Sequence, residues 1–258
     1  MNEKLKEFGK LLEIMDELRE KCPWDKAQTL ESIRNLTIEE TYELADAIMK
    51  RDMDEIKKEL GDLMLHIVFY SKIGSETSDF DILDVLKAIN QKLIYRHPHV
   101  FENVKVNNQE DVKKNWEELK MSEGKKSVLS GVPASLPALV KANRVQEKVR
   151  AVGFDWEQRE QVWEKIEEEM NELKEEISNM SKEKTEAEFG DLFFSLVNAA
   201  RLYDIDPETA LERTNLKFIK RFKYLESKTI KQGKSLKEMS LVEMNEIWEE
   251  AKKFDLQK

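Results

Sequence analysis

One acidic pattern occurs twice in the chain with the same internal spacing. The two copies are Glu39-Glu40-x-x-Glu43 with Glu59-x-x-Asp62, and Glu168-Glu169-x-x-Glu172 with Glu188-x-x-Asp191. The distance in sequence from Glu39 to Glu168 recurs unchanged at every other acidic position of the pattern. We call this distance the repeat offset. Two segments with one spacing are expected to adopt the same local structure, so the pattern predicts a tandem duplication of a single folding unit.

Composition favours helix through almost the whole chain. Charged residues make up 37% of the 258 residues and hydrophobic residues 40%, with only 8 Gly and 5 Pro, as in helical proteins with a charged surface. Apolar residues recur at helical spacing in the second copy, at Ile166, Met170, Leu173 and Ile177 and again at Phe189, Leu192, Phe193, Leu196, Val197 and Ala200. We therefore predict an all-α fold.

Three sequence signals predict where helices begin. Thr37-x-x-Glu40 and Ser240-x-x-Glu243 have the form of a capping box, in which a hydroxyl and a carboxylate each accept from the other residue's backbone N–H. Asp206-Pro207 joins an N-cap residue to a proline, whose missing N–H is not needed at the first helical position.

A segment rich in Ser, Gly and Pro separates the two copies. Residues 122–137 read SEGKKSVLSGVPASLP and lack a helical pattern, so we predict helical domains at 1–121 and 138–258 joined by this linker. Further matched residues support the duplication, namely the pairs Asn90 and Asn215, Lys92 and Lys217, Arg96 and Arg221, Trp116 and Trp248, and Lys120 and Lys252.

Helical spacing predicts that the carboxylates of each copy meet at one site. Glu169 and Glu172 are three residues apart and share a helix face, as do Glu188 and Asp191 on the next helix. If the apolar faces of these helices pack together, the acidic pairs repel each other unless a cation binds between them. Oxygen ligands favour Mg²⁺, or Mn²⁺ in its place, over zinc. The matching set in the first copy is Glu40, Glu43, Glu59 and Asp62.

Basic and aromatic residues suggest where phosphates and a base would bind. Each copy has a Lys–Arg pair four residues apart, which gives one cationic helix face suited to a polyphosphate: Lys217 with Arg221, and Lys92 with Arg96. Each copy also has a Trp with a Lys one turn later, as a base and a phosphate would need: Trp248 with Lys252, and Trp116 with Lys120. Asn215 precedes Lys217 by two residues and belongs to the same predicted substrate site.

Charge and cysteine content exclude several classes of protein. A net charge of −10 argues against a general nucleic-acid binder. The lone Cys22 cannot form an internal disulfide and suits a reducing cytosol. The most apolar run, residues 60–70, is too short to span a membrane. We expect a soluble cytoplasmic protein with neither nucleic acid nor membrane as partner.

Other sites were weighed against the carboxylate site. His97 and His99 lie beside a proline, but no third soft ligand is near in sequence, and His66 is expected to be a hydrogen-bonded core residue. A di-iron bundle requires Glu-x-x-His, which the pattern lacks. Walker and dinucleotide glycine motifs are also missing from the sequence. A non-catalytic metal–nucleotide sensor or interaction scaffold remains the alternative to an enzyme.

The acidic pattern and the segments around it resemble the MazG family of tandem-domain nucleoside triphosphate pyrophosphohydrolases. Besides the carboxylates, the resemblance is carried by Cys22-Pro23-Trp24-Asp25, Arg96-His97-Pro98-His99-Val100-Phe101, Ser135-Leu136-Pro137-Ala138-Leu139 and Gly153-Phe154-Asp155-Trp156. It implies units built around a four-helix core and completed by homodimerisation. It also implies Mg²⁺-dependent cleavage of nucleoside triphosphates to a monophosphate and pyrophosphate, usually by the C-terminal unit.

The resemblance also implies roles for the residues of the second copy. Glu169, Glu172, Glu188 and Asp191 would ligate Mg²⁺. Glu168 would support this site or orient the attacking water. The expected substrate contacts are Lys217, Arg221 and Lys252 with the phosphates, and Trp248 with the base. The first copy retains the same residue types, so the sequence leaves open whether it is also catalytic.

Overall fold

The computed structural model of the protein describes residues 2–102, 104–106, 127–231 and 235–255, together with positions 108, 112, 115, 119 and 233. All regular structure within these residues is helical, which confirms the all-α prediction. The chain divides into two compact units, Met1–Val112 and Lys113–Lys258.

The first unit is organised around a pair of long helices. Its helices are α1 (Glu3–Lys21), α2 (Pro23–Ala27), α3 (Leu30–Lys50), α4 (Met53–Glu76), α5 (Ile82–Arg96) and α6 (Pro98–Phe101). Helices α3 and α4 make the most extensive contact, and α1 and α5 both pack against α4. The α3–α4 pair carries the first acidic pattern.

The second unit repeats this arrangement. Its described helices are α7 (Ala138–Arg150), α8 (Gln161–Ser178), α9 (Lys182–Leu202), α10 (Pro207–Lys231) and α11 (Leu241–Asp255), with a 3-10 turn at Leu236–Glu238. Helix α8 packs against α9 as α3 does against α4, while α7 packs against α9 and α10. The α8–α9 pair carries the second acidic pattern.

The turns between the two acidic helices share a backbone feature in both units. Arg51 and Met180 are separated by the repeat offset, and both adopt the left-handed conformation, with φ of 56° and 54°. This conformation is uncommon for residues other than glycine. Its occurrence at matched positions gives the two turns one backbone feature in common. Each acidic pattern is therefore carried by a helical hairpin with a left-handed residue in its turn.

Two of the predicted helix starts are confirmed. The Ser240 hydroxyl accepts from the Glu243 N–H at 3.3 Å, and the Glu243 carboxylate accepts from the Ser240 N–H at 2.8 Å. The Asp206 carboxylate accepts from the Thr209 N–H at 2.7 Å, just before α10 begins at Pro207.

The third predicted start is wrong, because Thr37 lies inside α3. Its hydroxyl donates to the Ile33 carbonyl at 3.0 Å, a bond that a helical threonine can make without ending the helix. The helix begins at Leu30, where Thr29 and Ser32 form the actual capping box.

Each unit has its own apolar core. The first core contains Met15, Ile33, Val68, Phe69 and Ile73. In the second unit, buried apolar residues come mainly from the acidic helices themselves, at Val162, Leu173, Leu192 and Val197. Burying such a side chain contributes roughly 1.5–3 kcal/mol. The apolar contacts thus hold together two helices whose carboxylates repel each other.

The described part of the predicted linker lies on the second unit. The Lys148 side chain is buried and donates to the carbonyls of Val128 at 3.1 Å and Ser130 at 3.2 Å. Lys141, also on α7, donates to the Ala134 carbonyl at 2.6 Å. Residues 128–134 are therefore attached to α7. None of the described helices is long and apolar enough to cross a membrane.

Gly74 provides a test of packing in the first unit. A Cβ at this position would lie 2.8 Å from two ring atoms of Phe80 and 2.9 Å from the Phe80 carbonyl oxygen. Because backbone cannot move aside easily, Gly74→Ala should lower the free energy of unfolding by about 1–3 kcal/mol. Urea unfolding followed by circular dichroism measures this change.

Gly9→Ala is the matched control for that substitution. Gly9 is also helical, and no described atom outside its own helical turn lies within 4 Å of the position that a Cβ would occupy. Alanine there should raise stability by about 0.5–1 kcal/mol, because it restricts the unfolded chain. Equal stability of the two variants would contradict the packing described around Gly74.

Candidate functional site

The second unit brings three of its predicted carboxylates together. Carboxylate oxygens of Glu169, Glu172 and Glu188 all lie within 4.8 Å of one another. We call these residues the second cluster. Glu169 and Glu172 come from one face of α8, and Glu188 comes from α9, as the spacing predicts. Glu169 is buried, Glu188 is half-buried and Glu172 is exposed, so the cluster opens to solvent on one side.

A lysine that the sequence analysis did not single out borders the second cluster. Lys165 Nζ lies 2.8 Å from a Glu169 oxygen and 2.9 Å from a Glu168 oxygen. Hydrogen bonds to Glu169 and Glu168 raise the pKa of Lys165, which keeps it charged. Sequence could have suggested this pairing, because Lys165 precedes Glu169 by one helical turn.

Glu188 shows the cost of bringing these carboxylates together. Burial raises the pKa of Glu188, and the negative charges of Glu172, Asp191 and Glu169 raise it further. Asp191 is not part of the close group of oxygens, although it is near enough to act on Glu188. An added cation would relieve both effects, since it supplies opposite charge to the ionised carboxylate.

The first unit assembles an equivalent group, which we call the first cluster. Oxygens of Glu40, Glu43 and Glu59 lie within 4.8 Å of one another. Burial raises the pKa of Glu40, as do its hydrogen bond to Glu59 and the charges around it, including that of Asp62. Glu59 is only 2% exposed, and its Oε2 has no hydrogen-bond partner among the described residues. Such an oxygen is suited to a metal ion.

The lysine beside each cluster comes from non-equivalent helices in the two units. In the first unit Lys58, on α4, lies 2.9 Å from Glu59, and the matching position of the second copy is Ala187. In the second unit Lys165 is on α8, and its match in the first copy is Leu36. The carboxylates are therefore duplicated, whereas their cationic neighbours are not.

A cavity of about 500 Å³ lies beside the second cluster, within the second unit. Glu169 and Asp191 form part of its wall, so the acidic site opens into it. The remaining wall includes aromatic residues from the loop after α7 and from α9, namely Phe154, Trp156 and Phe194. Its volume falls in the range of small-molecule sites, and aromatic walls suit a planar ligand.

Buried polar side chains complete the cavity wall. The Arg201 guanidinium forms a two-bond ion pair with Asp155, including a 3.0 Å bond from Nη1 to Oδ2, and also donates to Asn198. Burial would raise the pKa of Asp155, but bonds from Arg201 and from the Trp156 N–H outweigh it, and the pKa is lowered. Gln146 Nε2 donates to the Phe194 carbonyl at 2.8 Å.

The predicted basic and aromatic residues gather on α10 and α11. The Arg221 guanidinium lies 5.8 Å from the centre of the Trp248 ring, and Phe218 packs 4.9 Å from the same ring. Lys217 is exposed beside them on α10. Lys252 pairs with Glu249 at 2.6 Å, an exposed contact of small energy that a phosphate can replace.

The remaining predicted residues are placed only in part. Asn215 is exposed and donates to Glu212 at 3.1 Å. In the first unit Lys92 and Arg96 lie on α5, while Trp116 and Lys120 lie outside the described residues. The carboxylates thus come from α8 and α9, and the basic and aromatic residues from α10 and α11.

The histidines do not join either carboxylate cluster in the described chain. The rings of His97 and His99 are 5.6 Å apart, and His97 Nδ1 lies 2.6 Å from the Leu93 carbonyl oxygen. His66 is buried as predicted. However, its Nδ1 has no hydrogen-bond partner among the described residues, and burial lowers its pKa. The expectation of a fully hydrogen-bonded His66 is therefore wrong.

Comparison with known proteins connects both clusters to one family. The family model of the MazG nucleotide pyrophosphohydrolase domain matches the chain twice, at residues 28–101 and 157–225. The first match contains the first cluster and the second match contains the second cluster.

Three relatives extend this similarity along the chain. The nucleoside triphosphate pyrophosphohydrolase/pyrophosphatase MazG of Thermotoga maritima is 44% identical over 250 residues, covering 95% of each chain. The nucleoside triphosphate pyrophosphohydrolase of Escherichia coli K12 is 38% identical over 261 residues, covering 98% of this chain and 99% of that one. Uncharacterized protein YabN of Bacillus subtilis is 46% identical over 252 residues; the chain spans about half of its length, 52%. The chain therefore belongs to the MazG nucleotide pyrophosphohydrolase family and contains its domain twice.

Proposed function

We propose that the protein hydrolyses nucleoside triphosphates to the monophosphate and pyrophosphate, and that the second unit carries out this reaction. Family membership makes it a hydrolase, and two relatives of the same length bear the name of this activity. The location in the second unit rests on one observation: the second cluster opens into a cavity large enough for a nucleoside.

The second cluster fits a hard divalent cation. Its donors are carboxylate oxygens alone, and they already lie within 4.8 Å of one another, which suits Mg²⁺ or Mn²⁺. We assign the cation to Glu169, Glu172 and Glu188, with Asp191 beside them. The unpartnered Glu59 oxygen supports the same assignment for Glu40, Glu43, Glu59 and Asp62 in the first unit. A bound Mg²⁺ supplies a water of lowered pKa and offsets phosphate charge.

The protein side chains orient the reactants and carry protons. Glu168 is exposed at the edge of the second cluster, and its carboxylate lies 2.9 Å from Lys165 Nζ. We therefore assign to Glu168 the role of orienting the attacking water. A neighbouring carboxylate among the catalytic residues Glu168, Glu169 and Glu172 accepts the proton of that water. Lys165 also borders the cavity, where its charge stabilises the negative charge that develops on the leaving pyrophosphate.

The basic cluster on α10 and α11 is assigned to the rest of the substrate. Lys217, Arg221 and Lys252 bind phosphate oxygens, with Asn215 on the same helix as Lys217. The contact of Trp248 with the base stays a separate prediction from the sequence, because Trp248 does not border the cavity. The first-unit counterparts are Lys92, Arg96, Trp116 and Lys120. The domain limits 1–121 and 138–258, and a cytoplasmic location, stay part of this proposal.

Both units expose a matched apolar face, which supports homodimerisation. On α9 the exposed residues are Phe189, Phe193 and Leu196, and on α4 they are Leu60, Met64 and Ile67. Each α9 residue follows its α4 counterpart by the repeat offset. Exposed apolar surface of this kind marks an interaction site, and a repeated register indicates one mode of packing. We assign this face to a second copy of the chain.

The reaction is tested through its products. The wild-type protein with Mg²⁺ and each common nucleoside triphosphate should release pyrophosphate and monophosphate, without orthophosphate. Glu172→Ala should reduce this rate by at least about 100-fold, because it removes a ligand of the catalytic cation. Product analysis by ion-exchange chromatography measures both outcomes.

Glu43→Ala is the matched control, because it alters the first cluster in the same way. It should leave most of the activity if the second unit is the catalytic one. Activity that survives Glu172→Ala and disappears only when both changes are present would place catalysis in both units. Binding of the nucleotide without pyrophosphate release would favour the alternative function, a non-catalytic metal–nucleotide sensor.

The raised pKa of Glu188 predicts how stability depends on pH. Between the usual carboxyl value of 4.5 and the raised value, the folded state holds more protons than the unfolded state. Without divalent cations, stability should therefore fall as pH rises through this window. Mg²⁺ competes with protons, so its increase of Tm should be larger at pH 7.5 than at pH 5, as differential scanning fluorimetry measures.

Glu188→Gln should flatten this pH dependence and reduce the Mg²⁺-induced increase of Tm. Glu183→Gln, an exposed change in the first turn of α9 outside the cluster, should preserve both effects. An equal Mg²⁺ response in all three proteins would contradict the assignment of Glu188 as a ligand.

The dimer is tested by sedimentation velocity. Phe193 is 57% exposed within the chain, so Phe193→Glu should fold normally but separate the wild-type dimer into monomers. Ile230→Glu, at an exposed position of α10 away from the matched face, should remain dimeric. A wild-type monomer, or a dimeric Phe193→Glu variant, would contradict the assigned interface.

A further inference from the structure

The cavity of the second unit contains a polar network that phosphate chemistry does not require. The Arg201 side chain is only 6% exposed, and its guanidinium bonds to two neighbours. It donates to Asn198 Oδ1 from Nε at 3.1 Å and from Nη2 at 2.7 Å. It also donates to both carboxylate oxygens of Asp155. Arg201, Asp155 and Asn198 all border the cavity.

These bonds determine the orientation of the Asn198 amide. A guanidinium group only donates hydrogen bonds, so the group that faces it must be the amide oxygen. The NH₂ group then faces away from Arg201. It makes no hydrogen bond with a described residue, and it is not enclosed by protein. Because Asn198 borders the cavity, two N–H donors are available to a bound molecule.

A second buried amide, that of Gln146 on α7, contacts the preceding turn of α9. Gln146 is 4% exposed and donates from Nε2 to the Phe194 carbonyl, so its Oε1 remains an acceptor, with no donor among the described residues. Phe194 precedes Asn198 by four residues on α9, about one helical turn or 5.4 Å. The Oε1 atom of Gln146 is enclosed by protein, so the group that remains accessible to a bound molecule at this part of the wall is the Asn198 amide.

The same ion pair holds the aromatic part of the cavity wall. The Asp155 carboxylate accepts from the Trp156 N–H at 3.0 Å and lies 3.4 Å from Arg150 Nε. Arg201 therefore fixes two features at once, the Asn198 amide and the loop that brings Trp156 to the cavity. Both features bear on the base and neither on the phosphates.

We propose that Asn198 is a specificity-determining residue, whose amide N–H donates to an acceptor atom on the nucleobase. Arg201 and Asp155 are positioning residues that hold this amide in place. The inference deepens the proposed function and rests on it, because it takes the nucleoside part of a triphosphate as the occupant of the cavity.

The test compares ligands that differ only in the base. The wild-type protein, Asn198→Asp and Asn198→Ala are assayed for pyrophosphate release with nucleoside triphosphates and with base-free ribose 5′-triphosphate. Binding of nucleoside monophosphates is measured by calorimetry. Asn198→Asp keeps the size of the side chain and an acceptor for Arg201, and Asn198→Ala removes the donor without adding charge. Asn179→Asp, at an exposed position after α8, is the matched control.

Both Asn198 variants should lose about 10- to 100-fold in kcat/KM with nucleoside triphosphates, mainly through KM, as expected when a buried hydrogen bond to substrate is lost. The base-free triphosphate should react equally well with all four proteins. Monophosphate affinity should fall by a similar factor in the Asn198 variants alone.

Equal losses with the base-free triphosphate would show a structural role for Asn198 and overturn the proposal. Unchanged kcat/KM with nucleotides would do the same. If the wild-type protein releases no pyrophosphate, the proposed function fails. Calorimetry then decides the role of Asn198 independently, because unchanged monophosphate affinity in both variants contradicts base recognition.

Discussion

Repulsion among carboxylates is the interaction on which the rest of the structure depends. In each unit, two packed helices bring three glutamates to within 4.8 Å of one another, an arrangement that apolar contacts between the helices must hold against like charge. Burial and then this repulsion raise the pKa values of Glu40 and Glu188, and a lysine lies beside each cluster. A divalent cation would relieve this repulsion and become part of the chemistry.

The two units share a scaffold but surround it differently. The turn between the acidic helices has the same left-handed residue in both, at Arg51 and Met180, and both expose apolar residues at matched positions. The neighbouring cation, however, comes from α4 in the first unit and from α8 in the second. The two units therefore share the left-handed turn position and the exposed apolar face, while the lysine beside the carboxylates differs between them.

The sequence predicted the carboxylate sites because their geometry depends mainly on short-range rules. Helical spacing places Glu169 and Glu172 on one face, and the constant distance to the next acidic pair requires a matched hairpin. The sequence could not predict the cavity or the Arg201–Asp155 pair. These two residues are 46 positions apart, and their contact depends on how the loop after α7 packs against α9. The mistaken start at Thr37 has a local cause, because a threonine within a helix bonds to the preceding turn.

Titration with Mn²⁺, with the free ion followed by electron paramagnetic resonance, tests the central claim most directly. The wild-type protein should bind the ion saturably, and Glu43→Ala and Glu172→Ala should each remove a separate part of that binding. The double variant should bind no Mn²⁺, while its circular dichroism spectrum should show that it is folded. Undiminished Mn²⁺ binding by a folded double variant would contradict the account, because the two clusters would then not be the cation sites.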